Sequence, residues 1–93
     1  MPRSTPPPDW VLSRRRQIGA NIRAARLHAN LTQQTISERT GIDRSVIVNI
    51  EHGHSAALVD TLILIADAIG IDLSQIVRQR AGPDQPPRRT GEG

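Results

Sequence analysis

Four residues that accept a left-handed backbone, Asn30, Gly41, Gly53 and Gly70, cut the middle of the chain into short segments. Two residues after three of them stands a side chain able to cap a helix: Thr32, Asp43 and Asp72. A chain punctuated in this way reads as short helices joined by tight turns. No stretch alternates with period two and no internal repeat appears, so the expected fold class is all-α, a five-helix bundle.

The apolar spacing fills in the elements. Ile18, Ile22, Ala25 and Ala29 recur at intervals of four, three and four, which lines them on one face of a first helix. That helix is expected to start after Asp9 or Ser13 and to run to about Ala29. Gly19 inside it lowers helix propensity by about 1 kcal/mol relative to Ala, which marks a place where another backbone comes close. Thr32 is expected to cap a second helix, Gln33 to Thr40. Gly41 then turns the chain, Ile42 plugs the turn into the core, and Asp43 caps a third helix to about His52. Asp60 or Thr61 is expected to cap a fourth helix ending at Ile69, with Val59, Leu62, Ile65, Ala66 and Ile69 facing inward. Asp72 caps a last short helix in which Leu73, Ile76 and Val77 cover the bottom of the core.

With 93 residues there is room for one small domain. It is expected over residues 11–78, between a disordered N-terminal arm, 1–10, rich in proline, and a disordered tail, 79–93, of Gly, Pro, Gln, Arg and Thr. The chain has no Cys, Phe or Tyr and one Trp. Disulfides, thiolate metal sites and a Cys nucleophile are excluded, and stacking of single-stranded bases on aromatic rings is not expected. The apolar run Leu62–Ala66 is too short to span a bilayer, and the proline-rich start does not resemble a secretory signal, so a cytoplasmic, nucleoid-associated protein is expected. A membrane-surface helix built on Trp10 and the adjoining arginines lacks further bulky interfacial residues. His28, His52 and His54 do not form a complete metal-ligand set in sequence, and the carboxylates are spaced as caps and solvent-face charges, so neither a metal, a cofactor nor an enzyme is expected.

The net charge of +3 is unevenly distributed. Residues 1–50 carry eight Arg against Asp9, Glu38 and Asp43, whereas residues 51–77 carry Glu51, Asp60, Asp67 and Asp72 and no Arg. A basic half beside an acidic half presents one face to a polyanion.

The second and third helices and their glycine turn match the geometry in which one helix enters the major groove and the other braces it. On a wheel of about 100° per residue with Arg44 at 0°, Ile47 and Ile50 fall near 300° and 240°. Val48, His52, Ser45 and Asn49 fall between about 40° and 140° on the opposite face. Arg bonds guanine O6 and N7, Asn bonds adenine N6 and N7, and a Val methyl meets thymine. Arg14, Arg15, Arg16 and Arg39, with Arg3, Arg88 and Arg89 in the tails, are candidates for phosphate contact.

Residues 18–77 resemble the Xre-type, lambda-repressor-like helix-turn-helix family. The marks are Arg26, Leu31-Thr32-Gln33, Gly41, Ile47, Glu51-x-Gly53, and then Leu62, Ala66, Ile69 and Gly70. The resemblance implies a sequence-specific double-stranded DNA-binding regulator, most simply a repressor. It puts Arg44, Ser45 and Asn49 on bases, and Gln33 with the start of the second helix on phosphate; Thr32, Arg39 and, by its charge, Arg15 are further expected contacts to the DNA backbone. It also pairs Arg26 with Glu51. Three positions depart from the family pattern. Ser37 stands where a small alanine is usual, Ala57 where proline is frequent, which suggests a looser loop, and Val48 where the residue is usually small or polar.

Leu27, Val46, Leu58, Ile63 and Leu64 remain once a single core is assigned. Either they thicken that core or they are exposed and favour a homodimer through the fourth and fifth helices, with half-sites roughly 34 Å apart. Two alternatives keep the fold and change its role. One is the antitoxin of a toxin pair, holding a partner protein; the other is an interaction module that has lost DNA binding, which Val48 on the reading face would suit.

Overall fold

The computed structural model describes residues 5–79; the expectations for residues 1–4 and 80–93, including Arg3, Arg88 and Arg89, lie outside the described residues. Five helices follow one another: α1 (Asp9–His28), α2 (Gln33–Thr40), α3 (Arg44–Glu51), α4 (Val59–Ile69) and α5 (Leu73–Val77). α1 packs against α3, α4 and α5, and α2 packs against α3 and α4. Among the described residues, no helix is long and apolar enough to cross a membrane.

The helix ends explain why the segments are so short. Asn30, Gly53 and Gly70 all take positive φ. In each case the N–H of the following residue bonds a carbonyl in the last turn of the helix: Leu31 to Arg26 O at 3.0 Å, His54 to Asn49 O at 2.9 Å and Ile71 to Ala66 O at 3.0 Å. Each such bond closes a helix by satisfying one of its last carbonyls. Gly41, at φ 77°, makes a tighter exit from α2, its N–H bonding Ser37 O at 2.8 Å. Ser37 also braces this turn, because its hydroxyl donates forward to Ile42 O at 2.6 Å instead of back into the helix.

At the centre, each helix contributes one fully buried isoleucine: Ile22, Ile36, Ile47, Ile65 and Ile76. Their branched side chains hold one χ1 rotamer well, which suits a core that has no aromatic filler. Ile50, Leu62, Ala66 and Ile69 complete the buried cluster, and Ile18, Ala25, Leu31, Ile42, Ala57 and Leu73 pack on its edge.

Several expectations are corrected. α1 begins at Asp9, so Asp9 and Trp10 are helical rather than part of the arm. Pro8 is the N-cap, and Asp9 lies in the first turn, where its charge faces the helix dipole favourably. α4 starts at Val59 after Leu58, with no side-chain cap, so neither Asp60 nor Thr61 caps it. Val59 is exposed, because it lies about 70° from the centre of the stripe formed by Leu62, Ile65, Ala66 and Ile69. Asp72 holds the N-cap position of α5 without a side-chain cap bond. Val77 is also exposed, about 100° round the helix from the buried Ile76. Ala29, expected on the inward face of α1, is the exposed C-cap residue of that helix. Leu27, Val46, Leu58, Ile63 and Leu64 are all exposed, so they do not thicken the core.

Gly19 sits where α1 crosses the end of α3. A Cβ there would come within 3 Å of the carbonyl oxygens of both Ile50 and Glu51. In an ordinary helix interior Gly→Ala stabilises by about 1 kcal/mol; here the clash reverses the sign. Gly19→Ala is expected to destabilise the fold by about 1–3 kcal/mol, lowering the thermal midpoint by about 4–8 °C per kcal/mol. A raised midpoint in a calorimetric scan would contradict the close crossing.

Candidate nucleic-acid interface

The two central helices are locked at both N-termini by their own caps. Thr32 Oγ1 accepts from Thr35 N at 3.0 Å, and Asp43 Oδ2 accepts from Ser45 N at 3.1 Å. The Ser45 hydroxyl donates to the same Asp43 oxygen. These two bonds from Ser45 hold the Asp43 carboxyl below its ordinary pKa. The first two N–H groups of α2, those of Gln33 and Gln34, have no acceptor among the described residues. They leave a positive helix end facing out.

α3 divides as its wheel predicts. Ile47 and Ile50 are buried, while Arg44, Ser45, Asn49 and His52 are exposed. Val48 is partly buried. The attachment of α3 to the rest of the fold runs through Glu51. Arg26 Nε donates to Glu51 Oε2 at 2.7 Å and Arg26 Nη2 to Glu51 Oε1 at 3.0 Å, a two-pronged bond between buried side chains. Arg26 Nη1 also donates to Leu31 O at 2.9 Å, and Gln33 Nε2 donates to Glu51 Oε1 at 3.1 Å. One carboxylate therefore joins α1, the start of α2 and the end of α3.

The residues singled out in the sequence do not all come together. Arg44, Ser45 and Asn49 share the exposed face of α3, and Thr32 and Gln33 form the neighbouring tip of α2. The Gln33 side-chain amide is turned inward to Glu51, so the group it offers outward as a donor is its backbone N–H. Arg15 lies on the first half of α1; its neighbour Arg16 is the residue that packs by the end of α3, where a Cβ at Gly53 would meet its backbone within 3 Å. Arg39 stands apart, because its guanidinium donates to Ala68 O at 2.8 Å near the C-terminal end of α4. Arg14 lies over the Trp10 ring, 5.6 Å from its centroid, and Arg16 donates to Ser13 Oγ at 3.0 Å. The His52 and His54 rings stack with centroids 5.3 Å apart, while His28 is exposed on α1.

Asn21 is the buried polar residue that sequence reasoning missed. Its amide donates to Ile76 O at 2.8 Å and to Arg78 O at 3.1 Å, fastening the end of α5 to α1. Its place beside Ile22 on α1 was the one signal in the sequence, but its acceptors are backbone groups at the far end of the folded chain.

A buried-backed third helix, braced by a second across a glycine turn, defines a helix-turn-helix protein. A helix-turn-helix family model matches residues 22–76, and the chain belongs to that family. It is 35% identical over 60 residues to an immunity repressor protein of Bacillus phage phi105, a match covering 64% of this chain and 42% of the phage protein. The chain thus spans less than half the length of that relative. It is 29% identical over 63 residues to an uncharacterized HTH-type transcriptional regulator of Sinorhizobium fredii, covering 68% of this chain and 82% of that one. Among solved structures, the restriction-modification controller protein C.AhdI of Aeromonas hydrophila superposes with a TM-score of 0.67 at 23% identity, over 69% of this chain and 97% of its own. At that identity the likeness concerns the fold.

Removing one partner of a buried ion pair strands the other charge, at a cost of about 3–5 kcal/mol. Glu51→Ala is expected to lose stability of that order in urea titration. A loss below about 1 kcal/mol would mean that the pair does not hold α3 in place.

Proposed function

We propose that the chain is a sequence-specific double-stranded DNA-binding transcriptional regulator that acts as a repressor. The observation that carries this reading is the α3 face itself. Its Arg44, Ser45, Asn49 and His52 are polar and exposed, they lie opposite the buried Ile47 and Ile50, and the helix is held by the Arg26–Glu51 bond. The phage relative, named as an immunity repressor, supports the same reading.

Arg44 and Asn49 read base edges in the major groove. Ser45 joins them through its lone pairs, since its proton is directed to Asp43. Thr32 and the N–H groups at Gln33 and Gln34 hold a phosphate at the tip of α2, and Arg15 holds one from the first half of α1. Arg39 is assigned to the fold instead, as a cation on the C-terminal carbonyls of α4. Nothing in this set of roles calls for catalysis, a metal or a cofactor, and the protein works in the cytoplasm on the nucleoid.

The exposed Ile63, Leu64 and Val77, together with Val59, lie on α4 and α5, away from α3. They suit a homodimer that presents two α3 helices to half-sites one turn apart. A strictly monomeric protein in sedimentation equilibrium at tens of micromolar would contradict that arrangement.

Base and phosphate roles separate by substitution. Asn49→Ala is expected to relax preference at one base pair by about 1–3 kcal/mol. Arg15→Ala is expected to weaken binding to every sequence and to reduce the slope of log affinity against log salt by about one unit. Anisotropy titrations over a salt series measure both. Equal loss on all sequences for Asn49→Ala, or an unchanged slope for Arg15→Ala, would remove the respective role.

A further inference from the structure

The α3 face carries one apolar side chain outside the central core cluster. Val48 is partly buried, yet it does not belong to the residues packed on the core cluster. It lies one turn from Arg44 and within about 40° of it round the helix. Arg44 is exposed and makes no hydrogen bond or ion pair among the described residues. The adjacent carboxylate of Asp43, which would be its nearest competitor, is instead directed to the Ser45 N–H and hydroxyl. In the first turn of α3, Arg44 is therefore the side chain with uncommitted donors.

We propose that Arg44 and Val48 act as a pair that reads a pyrimidine–guanine step whose pyrimidine carries a C5 methyl: TpG, or CpG methylated on cytosine. This inference rests on the DNA-binding reading above and specifies its ligand. A guanidinium bonded to guanine O6 and N7 lies in the plane of that base. The C5 position of a pyrimidine on the 5′ side overhangs the same major-groove edge, so a methyl there rests against the guanidinium. One helical turn is about 5.4 Å, and successive bases on a strand are about 3.4 Å apart, so residues one turn apart serve neighbouring base pairs. The C5 methyl is the apolar group that the major groove offers. The Val48 isopropyl closes over it from the other side.

The test begins with the wild-type chain. Duplexes that it selects from a random library are expected to contain a TpG step. Replacing the thymine of that step by deoxyuridine removes the methyl and leaves base pairing unchanged. Binding should weaken about fourfold, the equivalent of one buried methyl at about 0.8 kcal/mol. Placing 5-methylcytosine rather than cytosine at that step should strengthen binding about fourfold. Val48→Ala should bring both ratios closer to one, its folding being checked separately by far-ultraviolet circular dichroism and its urea midpoint; a folded variant that keeps the wild-type ratios overturns the role of Val48. Equal affinity of the wild-type chain for the thymine and deoxyuridine duplexes overturns the methyl reading and leaves DNA binding intact. A library that yields no enriched sequence overturns the DNA-reading interface itself, and the methyl reading with it.

Discussion

The whole interface hangs on one buried carboxylate. Glu51 occupies the last position of α3, and both of its oxygens receive bonds from Arg26, with Gln33 adding a third donor. Burying two charges costs several kcal/mol per ion, and only good geometry with further hydrogen bonds offsets that. Here the offset comes from the two-pronged contact and from Leu31 O, which accepts the remaining prong of the guanidinium. An apolar pair of similar volume would fill the same space, but it would not fix the rotation of α3 against the tip of α2. That fixed rotation is what allows an eight-residue helix to present one face reproducibly.

The backbone enforces the same geometry by contact. α1 crosses α3 at Gly19 so closely that the carbonyls of Ile50 and Glu51 occupy the space a methyl would take. The crossing sets the depth of α3, and the ion pair sets its rotation. Around them, five fully buried isoleucines, one from each helix, make a core thin enough that every helix touches it. Asn21 then ties the short α5 to α1 through backbone acceptors, so the last element is held by hydrogen bonds as well as by Ile76.

The helix ends were legible in the sequence wherever a side chain or a left-handed residue determined them, as at Asn30, Thr32, Gly41, Asp43, Gly53 and Gly70. The starts of α1 and α4 were not, because Pro8 and Leu58 stand at those caps without any side-chain bond. Val59 and Val77 were misplaced because an apolar residue on the shoulder of a stripe looks the same in sequence as one at its centre. The division of α3 into two faces was also legible, since periodicity alone carries it. Which polar groups are already committed was not. The inward turn of the Gln33 amide, the bond of Arg39 to Ala68 O and the use of the Ser45 proton on Asp43 all depend on the folded chain's own geometry. In the proposed interface these commitments assign phosphate contact to backbone N–H groups rather than to a glutamine side chain, with Arg44 and Asn49 as the proposed donors on α3.

The central claim is that duplex DNA meets this protein on α3 and the tip of α2. The most direct measurement is backbone amide chemical-shift mapping as a library-selected duplex is added to the labelled chain. The largest changes are expected at Thr32–Gln34 and along Arg44–His52, with smaller ones on the first half of α1. Largest changes on the outer faces of α4 and α5, with α3 unmoved, would contradict that claim.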